Sequence, residues 1–121
     1  MNTLSKEPID KKKVLAKAFL NVSNQLNLNQ TQIAAIIEIS IAVVIQLQTE
    51  MNIDPISKQG ELALLIIKLF RTLHNLSGGY LDWIRHFLES KNRVTGGIPI
   101  KQIETERGLV SVLQFVEAIR H

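Results

Sequence analysis

The sequence predicts an all-α fold. Apolar residues return every three or four positions along almost the whole chain, no stretch alternates at period two, and Asn, Ser, Gly and Pro stand where helices would begin and end. At 121 residues and 45% hydrophobic content, the chain suffices for one domain or for two small helical lobes sharing a core.

In chain order, Val14, Leu15, Ala18, Phe19, Val22 and Leu26 form one apolar stripe and predict a helix over residues 11–26. Asn29 and Ser40 then read as N-caps of two short helices, over residues 30–37 and 41–49. Residues 51–59, with Asp54-Pro55 and Ser57, make the best linker and divide the chain into regions 1–54 and 55–121. A long helix follows over residues 60–76. Leu62, Leu65, Ile66, Leu69, Phe70 and Leu73 lie along one side, and Leu64 and Ile67 widen the stripe. So wide an apolar face predicts a central helix covered on two sides. Ser77-Gly78-Gly79 ends it, because glycine accepts the left-handed conformation that closes a helix. The next helix is expected over residues 80–90, with Trp83 and Phe87 read as core residues and, as the alternative, as binding anchors. Gly96-Gly97-Ile98-Pro99 then makes a turn that no helix crosses. The last helix is expected over residues 104–120, with Leu109, Val112, Leu113, Val116 and Ile119 inward and Phe115 in the core or, as the alternative, a binding anchor. Gly108 there allows close approach by another helix or loop.

Composition removes several function classes. Without cysteine there is no disulfide framework, thiolate zinc site or cysteine nucleophile. His74, His86 and His121 have no partner at metal-ligand spacing, so no metal is expected. Asp82 and His86 are four apart, a spacing that suits surface electrostatics. No nucleophile stands beside a base, and Gly96-Gly97 leads to a proline, which lacks the N–H a phosphate cradle needs. The expectation is a protein that is not an enzyme and takes no cofactor. Lys6 and Lys11 to Lys13 are followed by Asn21, Ser23 and Asn24, which break up any signal-peptide core. The apolar runs at 33–47 and 62–73 fall short of a membrane span. The expected setting is cytoplasmic, with no membrane partner.

Residues 30–47 carry the offsets of a helix-turn-helix, with Ile33, Ala34, Ile37, Ile39, Val44 and Leu47 at the inward positions and Ala34 where the helices cross. Over residues 11–50 the chain resembles the Xre-type (Cro and repressor-like) helix-turn-helix, with Glu38 at the turn position commonly held by glycine. A DNA reader needs donors on its second helix and nearby cations for phosphates. Between Ala18 and Asp54 there is no Lys or Arg, and residues 1–54 balance five Lys against five acids. The whole net charge of +3 therefore lies in the second half. Three readings stay open for the motif. It reads operator DNA through Lys11, Lys12, Lys13, Gln30, Ser40 and Gln46; or Ile41, Val43 and Ile45 of its second helix are buried in a homodimer or lobe interface; or the helix pair is purely structural.

From about residue 60 onward the chain is similar to the Xre/MbcA/ParS toxin-binding antitoxin family. The resemblance rests on Glu61-Leu62-Ala63, Trp83, Asn92, Gly96-Gly97-Ile98-Pro99 and Glu106-Arg107-Gly108-Leu109 leading into Val112 and Leu113. It implies an all-α, dimeric protein: an N-terminal helix-turn-helix bundle over 1–54 and a small helical toxin-binding domain over 55–121. It also implies that the partner is a RES-domain toxin that consumes NAD. The implied function is an antitoxin that binds and inhibits this enzyme, with repression of its own operon as a further role. The alternative is a DNA-binding transcriptional regulator without a toxin. Two surfaces are candidates for the toxin: Arg93, Thr95, Gly96, Gly97, Pro99 and Lys101 around the glycine turn, and Glu117, Arg120 and His121 at the C-terminal end, which in the family lies against the toxin's active-site entrance. A carboxylate there can pair with an arginine of a dinucleotide pocket.

Overall fold

Seven helices form among the described residues, 9–119, of this computed structural model. They are α1 Lys11–Gln25, α2 Gln30–Ile37, α3 Ile41–Glu50, α4 Lys58–Ser77, α5 Leu81–Glu89, α6 Pro99–Gln102 and α7 Glu106–Ile119. No strand is present among the described residues, only one isolated bridge between Asn92 and Gly97. No single helix among them is long and apolar enough to cross a membrane.

Helix boundaries follow from local hydrogen bonding. Asn29 caps α2 reciprocally, its carboxamide accepting from the Gln32 N–H at 2.8 Å while the Gln32 side chain accepts from the Asn29 N–H at 2.9 Å. Ser40 caps α3 and Ser57 caps α4 through their hydroxyl oxygens. Asp10 caps α1 through its carboxylate, which accepts from the Lys13 N–H. At the far end of α4, Gly78 and Gly79 take positive φ, and the Gly79 N–H donates to the His74 carbonyl. Two boundaries differ from expectation. Pro99 opens a four-residue helix rather than ending a turn, because proline's fixed φ suits a first helical position. The last helix begins at Glu106, not Glu104, since the Thr105 hydroxyl accepts from the Gly108 N–H.

α4 is the central element. α1 and α2 pack on it from one region of the chain, α5 and α7 from the other. Leu62, Ala63, Ile66, Leu69 and Leu73 along it are fully or almost fully buried. Lys58 pairs with Glu106 and Lys68 with Glu117, so α4 and α7 run in the same direction in register. The buried residues form one continuous cluster from Leu15 to Val116. The expected linker is part of it: Ile53 is buried, and its N–H donates to the Lys12 carbonyl of α1. The two buried hydroxyls, Ser23 and Thr72, donate to carbonyls one turn earlier and leave no polar debt.

Several residues expected inside lie outside. Val14 is exposed because Leu15, Ala16, Phe19 and Val22 already complete the inward line of α1, and Leu64 and Ile119 are similarly turned to solvent. Trp83 is the largest correction, at 45% exposed. Leu81, Ile84 and Leu88 supply the packed line of α5, and Trp83 and Phe87 stand one position off it. Phe87 and Phe115 are only partly buried.

Close approach fixes two glycines. At Gly60 a Cβ would overlap the Asp54 carbonyl oxygen, and at Gly108 it would overlap that of Gln102. Gly108 thus seats α7 against the end of α6, the close approach its position in the sequence suggests. A Gly108→Ala variant should lose about 2 kcal/mol or more of stability in urea unfolding, because the obstacle is backbone and cannot rotate away. An unchanged midpoint would show that α6 yields freely.

Candidate functional site

The segment between α5 and α6 is built around one side chain. The Asn92 carboxamide oxygen accepts from the Val94 N–H at 2.8 Å and the Thr95 N–H at 3.1 Å, closing an Asx-type turn. Its main chain exchanges hydrogen bonds with Gly97 in both directions, and the Gly96 N–H also donates to the Asn92 carbonyl. Gly96 takes φ +86, which closes the turn at no steric cost. Gly97 has ordinary φ; a side chain there would press on Gln102 instead. Gln102 clamps the loop from α6, its amide nitrogen donating to the Thr95 carbonyl at 2.6 Å. The Gln102 amide oxygen is buried and unpartnered among the described residues, so the clamp holds at the cost of one unmet acceptor.

This lock presents Arg93 and Val94 at the tip, Val94 being 74% exposed. Arg93, Gly96 and Lys101 are exposed, and Thr95 and Gly97 are half-buried. Pro99 is buried at the start of α6, where it shapes the surface from below. The turn thus brings Arg93, Thr95, Gly96, Gly97 and Lys101 together on one rim. Glu117 sits apart from this rim on α7, half-buried and 3.3 Å from Lys68. Arg120 and His121 lie outside the described residues.

The Lys58 ammonium joins the starts of α4 and α7. It lies 2.6 Å from Glu106 and 3.6 Å from Glu61. The hydrogen bond to Glu106 holds its pKa above the ordinary lysine value, attraction to both carboxylates adds to this, and desolvation opposes it. A raised folded-state pKa stabilises the fold below the ordinary value, and this contribution disappears only as pH rises through the folded-state value, in strong alkali.

The N-terminal candidates are placed less favourably for reading bases. α2 and α3 are bent 97° from each other across Glu38, Ile39 and Ser40. Ile33, Ala34, Ile37, Val44 and Leu47 face inward as the offsets require. Glu38 takes the left-handed conformation at φ 60, the conformation for which glycine is favoured at that turn position. Lys11, Lys12 and Lys13 are exposed on the first turn of α1. Gln30, however, donates to the Gln48 side chain at 3.1 Å, Gln46 donates to Glu50 at 3.1 Å, and Ser40 is engaged as a cap. On α3 only Val44 and Leu47 are buried, leaving Ile41, Val43 and Ile45 between 43% and 50% exposed.

Three contributions were absent from the sequence reading: Val94 at the loop tip, the Gln102 clamp, and Arg85. The Arg85 guanidinium donates to the Gln25 carbonyl at 2.8 Å, fastening α5 to the end of α1, where the helix dipole favours a cation. No local pattern announces a bond between residues 60 apart. Trp83 stacks on Phe87 with ring centres 5.8 Å apart and planes within 8°.

Compared with known proteins, residues 72–121 match the sequence profile of the antitoxin Xre/MbcA/ParS C-terminal toxin-binding domain. The match begins in the last turns of α4 and takes in α5, the locked loop, α6 and α7. No curated protein matches the chain.

The loop's order depends on Asn92. In an Asn92→Ala variant, amide hydrogen exchange at Val94 and Thr95 should quicken about fivefold to tenfold, the equivalent of one or two lost hydrogen bonds, while the global unfolding midpoint moves little. Unchanged exchange at both amides would show that Gly96 and Gln102 hold the loop without it.

Proposed function

Because residues 72–121 match the model of the antitoxin Xre/MbcA/ParS C-terminal toxin-binding domain, we propose that the chain neutralises a RES-domain, NAD-degrading toxin by binding it through residues 55–121. The observation that carries this reading is that the matched segment coincides with the locked loop and the helices that seat it. A preorganised loop loses little freedom on binding, so its exposed groups convert contact into affinity. Arg93, Thr95, Gly96, Gly97 and Lys101 form one part of the toxin-binding surface, with Pro99 supporting it. Glu117, Arg120 and His121 form the other, and Glu117 exchanges Lys68 for a cation of the toxin. The protein acts by covering the toxin and performs no catalysis of its own.

Residues 1–54 serve dimerisation in this proposal. Ile41, Val43 and Ile45 would face the same residues of a second copy across a twofold axis, which removes an apolar row from water. The 97° helix pair supports a second reading, a regulator that binds operator DNA, alone or in complex with the toxin to repress its own operon. Lys11, Lys12 and Lys13 then meet phosphates, while Gln30, Ser40 and Gln46 reach bases only after leaving their present partners.

Co-expression with the adjoining gene's product tests the first reading. Cellular NAD and survival should fall when the neighbour is expressed alone and recover when this chain is present; a neighbour harmless by itself would end the antitoxin reading. Arg93→Glu combined with Lys101→Glu should abolish most of the recovery with the helix content unchanged. For the second reading, a gel shift on the upstream region at physiological salt should show tight, salt-sensitive binding that a Lys11, Lys12 and Lys13 triple Ala variant weakens about tenfold. Absence of any shift, for the chain and for its toxin complex, removes the regulator.

A further inference from the structure

The exposed face of α5 carries features that neither the core nor the locked loop uses. Trp83 and Phe87 stack face to face, and Tyr80 follows the same side one turn earlier at 73% exposed. The neighbouring stripe holds Asp82 and Glu89, both exposed and in no ion pair among the described residues. These two carboxylates, with the exposed His86 between them, lie beside the aromatic pair in a half whose net charge is +3. The helix underneath is held rigidly, with Ile84 and Leu88 buried and Arg85 fastened to the Gln25 carbonyl.

We propose that this face is a second contact surface for the toxin, and that it receives an arginine or lysine side chain of the toxin against the Trp83 ring, with Asp82 or Glu89 meeting its charge. The inference rests on the antitoxin reading. An indole face attracts a cation, a carboxylate one helical step away completes the pairing, and a tryptophan on a fixed helix is ordered before binding. Two carboxylates beside the rings favour a cationic group on the partner. Position selects the toxin: α5 lies inside the matched segment 72–121 and runs directly into the locked loop at Lys91.

Trp83 is the only tryptophan of the chain, so it reports on this surface directly. The full chain, labelled with 5-fluorotryptophan, is mixed with the unlabelled toxin encoded beside it. On complex formation the single fluorine resonance should shift and lose its sensitivity to exchange from H2O into D2O. Trp83→Ala should weaken the complex about thirtyfold or more, and Trp83→Phe, which keeps an aromatic face, should recover most of that loss. Asp82→Asn with Glu89→Gln should weaken it about fivefold and flatten its salt dependence. Circular dichroism and the unfolding midpoint of each variant should match the parent, since Trp83 is largely outside the core. A complex that forms with Trp83 still open to solvent, or with full affinity in Trp83→Ala, overturns the proposal and leaves the antitoxin reading intact. Concentration-dependent protection of Trp83 without toxin assigns the face to a second copy and overturns it too. If no complex forms, the antitoxin reading itself fails, and this inference with it.

Discussion

The arrangement depends on covering a twenty-residue helix that is apolar on two sides. Left alone, α4 would expose Leu62, Ile66, Leu69 and Leu73 to water, at about 1.5–3 kcal/mol for each large side chain. No single neighbour reaches them all. The chain therefore brings α1 and α2 from before α4, and α5 and α7 from after it, so both halves are built against one helix. The aligned pairs Lys58–Glu106 and Lys68–Glu117 hold α7 in register along α4, and Gly108 lets its start settle onto the Gln102 carbonyl.

That arrangement determines what the surface can display. With Ile84 and Leu88 committed to the core, α5 must turn its other side outward, and the Trp83–Phe87 stack goes with it. With α6 pinned beneath α7, Gln102 is placed to grip Thr95, so the Asn92–Gly97 loop is shaped before any partner arrives. Recognition groups and packing groups alternate along the same elements. The segment that matches a toxin-binding domain is accordingly tied through α4 and Arg85 to helices it does not include.

The helices were legible because their period and their stops are local. Asn29, Ser40 and Gly78 act at the positions where their chemistry places them, and every element expected from the apolar spacing is present. What spacing cannot give is which of two adjacent stripes wins. For Trp83 the sequence left a core place and a binding anchor both open, and Leu81, Ile84 and Leu88 already fill the inward line. Val14 lost its place to Ala16 for the same reason. At the candidate site, the glycine turn and its neighbouring cations could be read directly. The Asn92 turn and the Gln102 clamp were hidden, because a carboxamide's partners are set by the backbone path. The short α6 was hidden by Pro99, which reads equally as a stop and as a start.

The single core also has a consequence for the protein's lifetime inside a cell. Ile53 closes the connection between the halves onto α1, and the buried cluster continues through α4 without a break. Loosening of the first three helices would strip one side of α4 and weaken the seat of α7 on the other. Opening either half therefore uncovers the core of the other, and the two lose their structure together. Any activity of the N-terminal helices and any restraint exerted on a partner would vanish in the same event, so abundance alone would govern both.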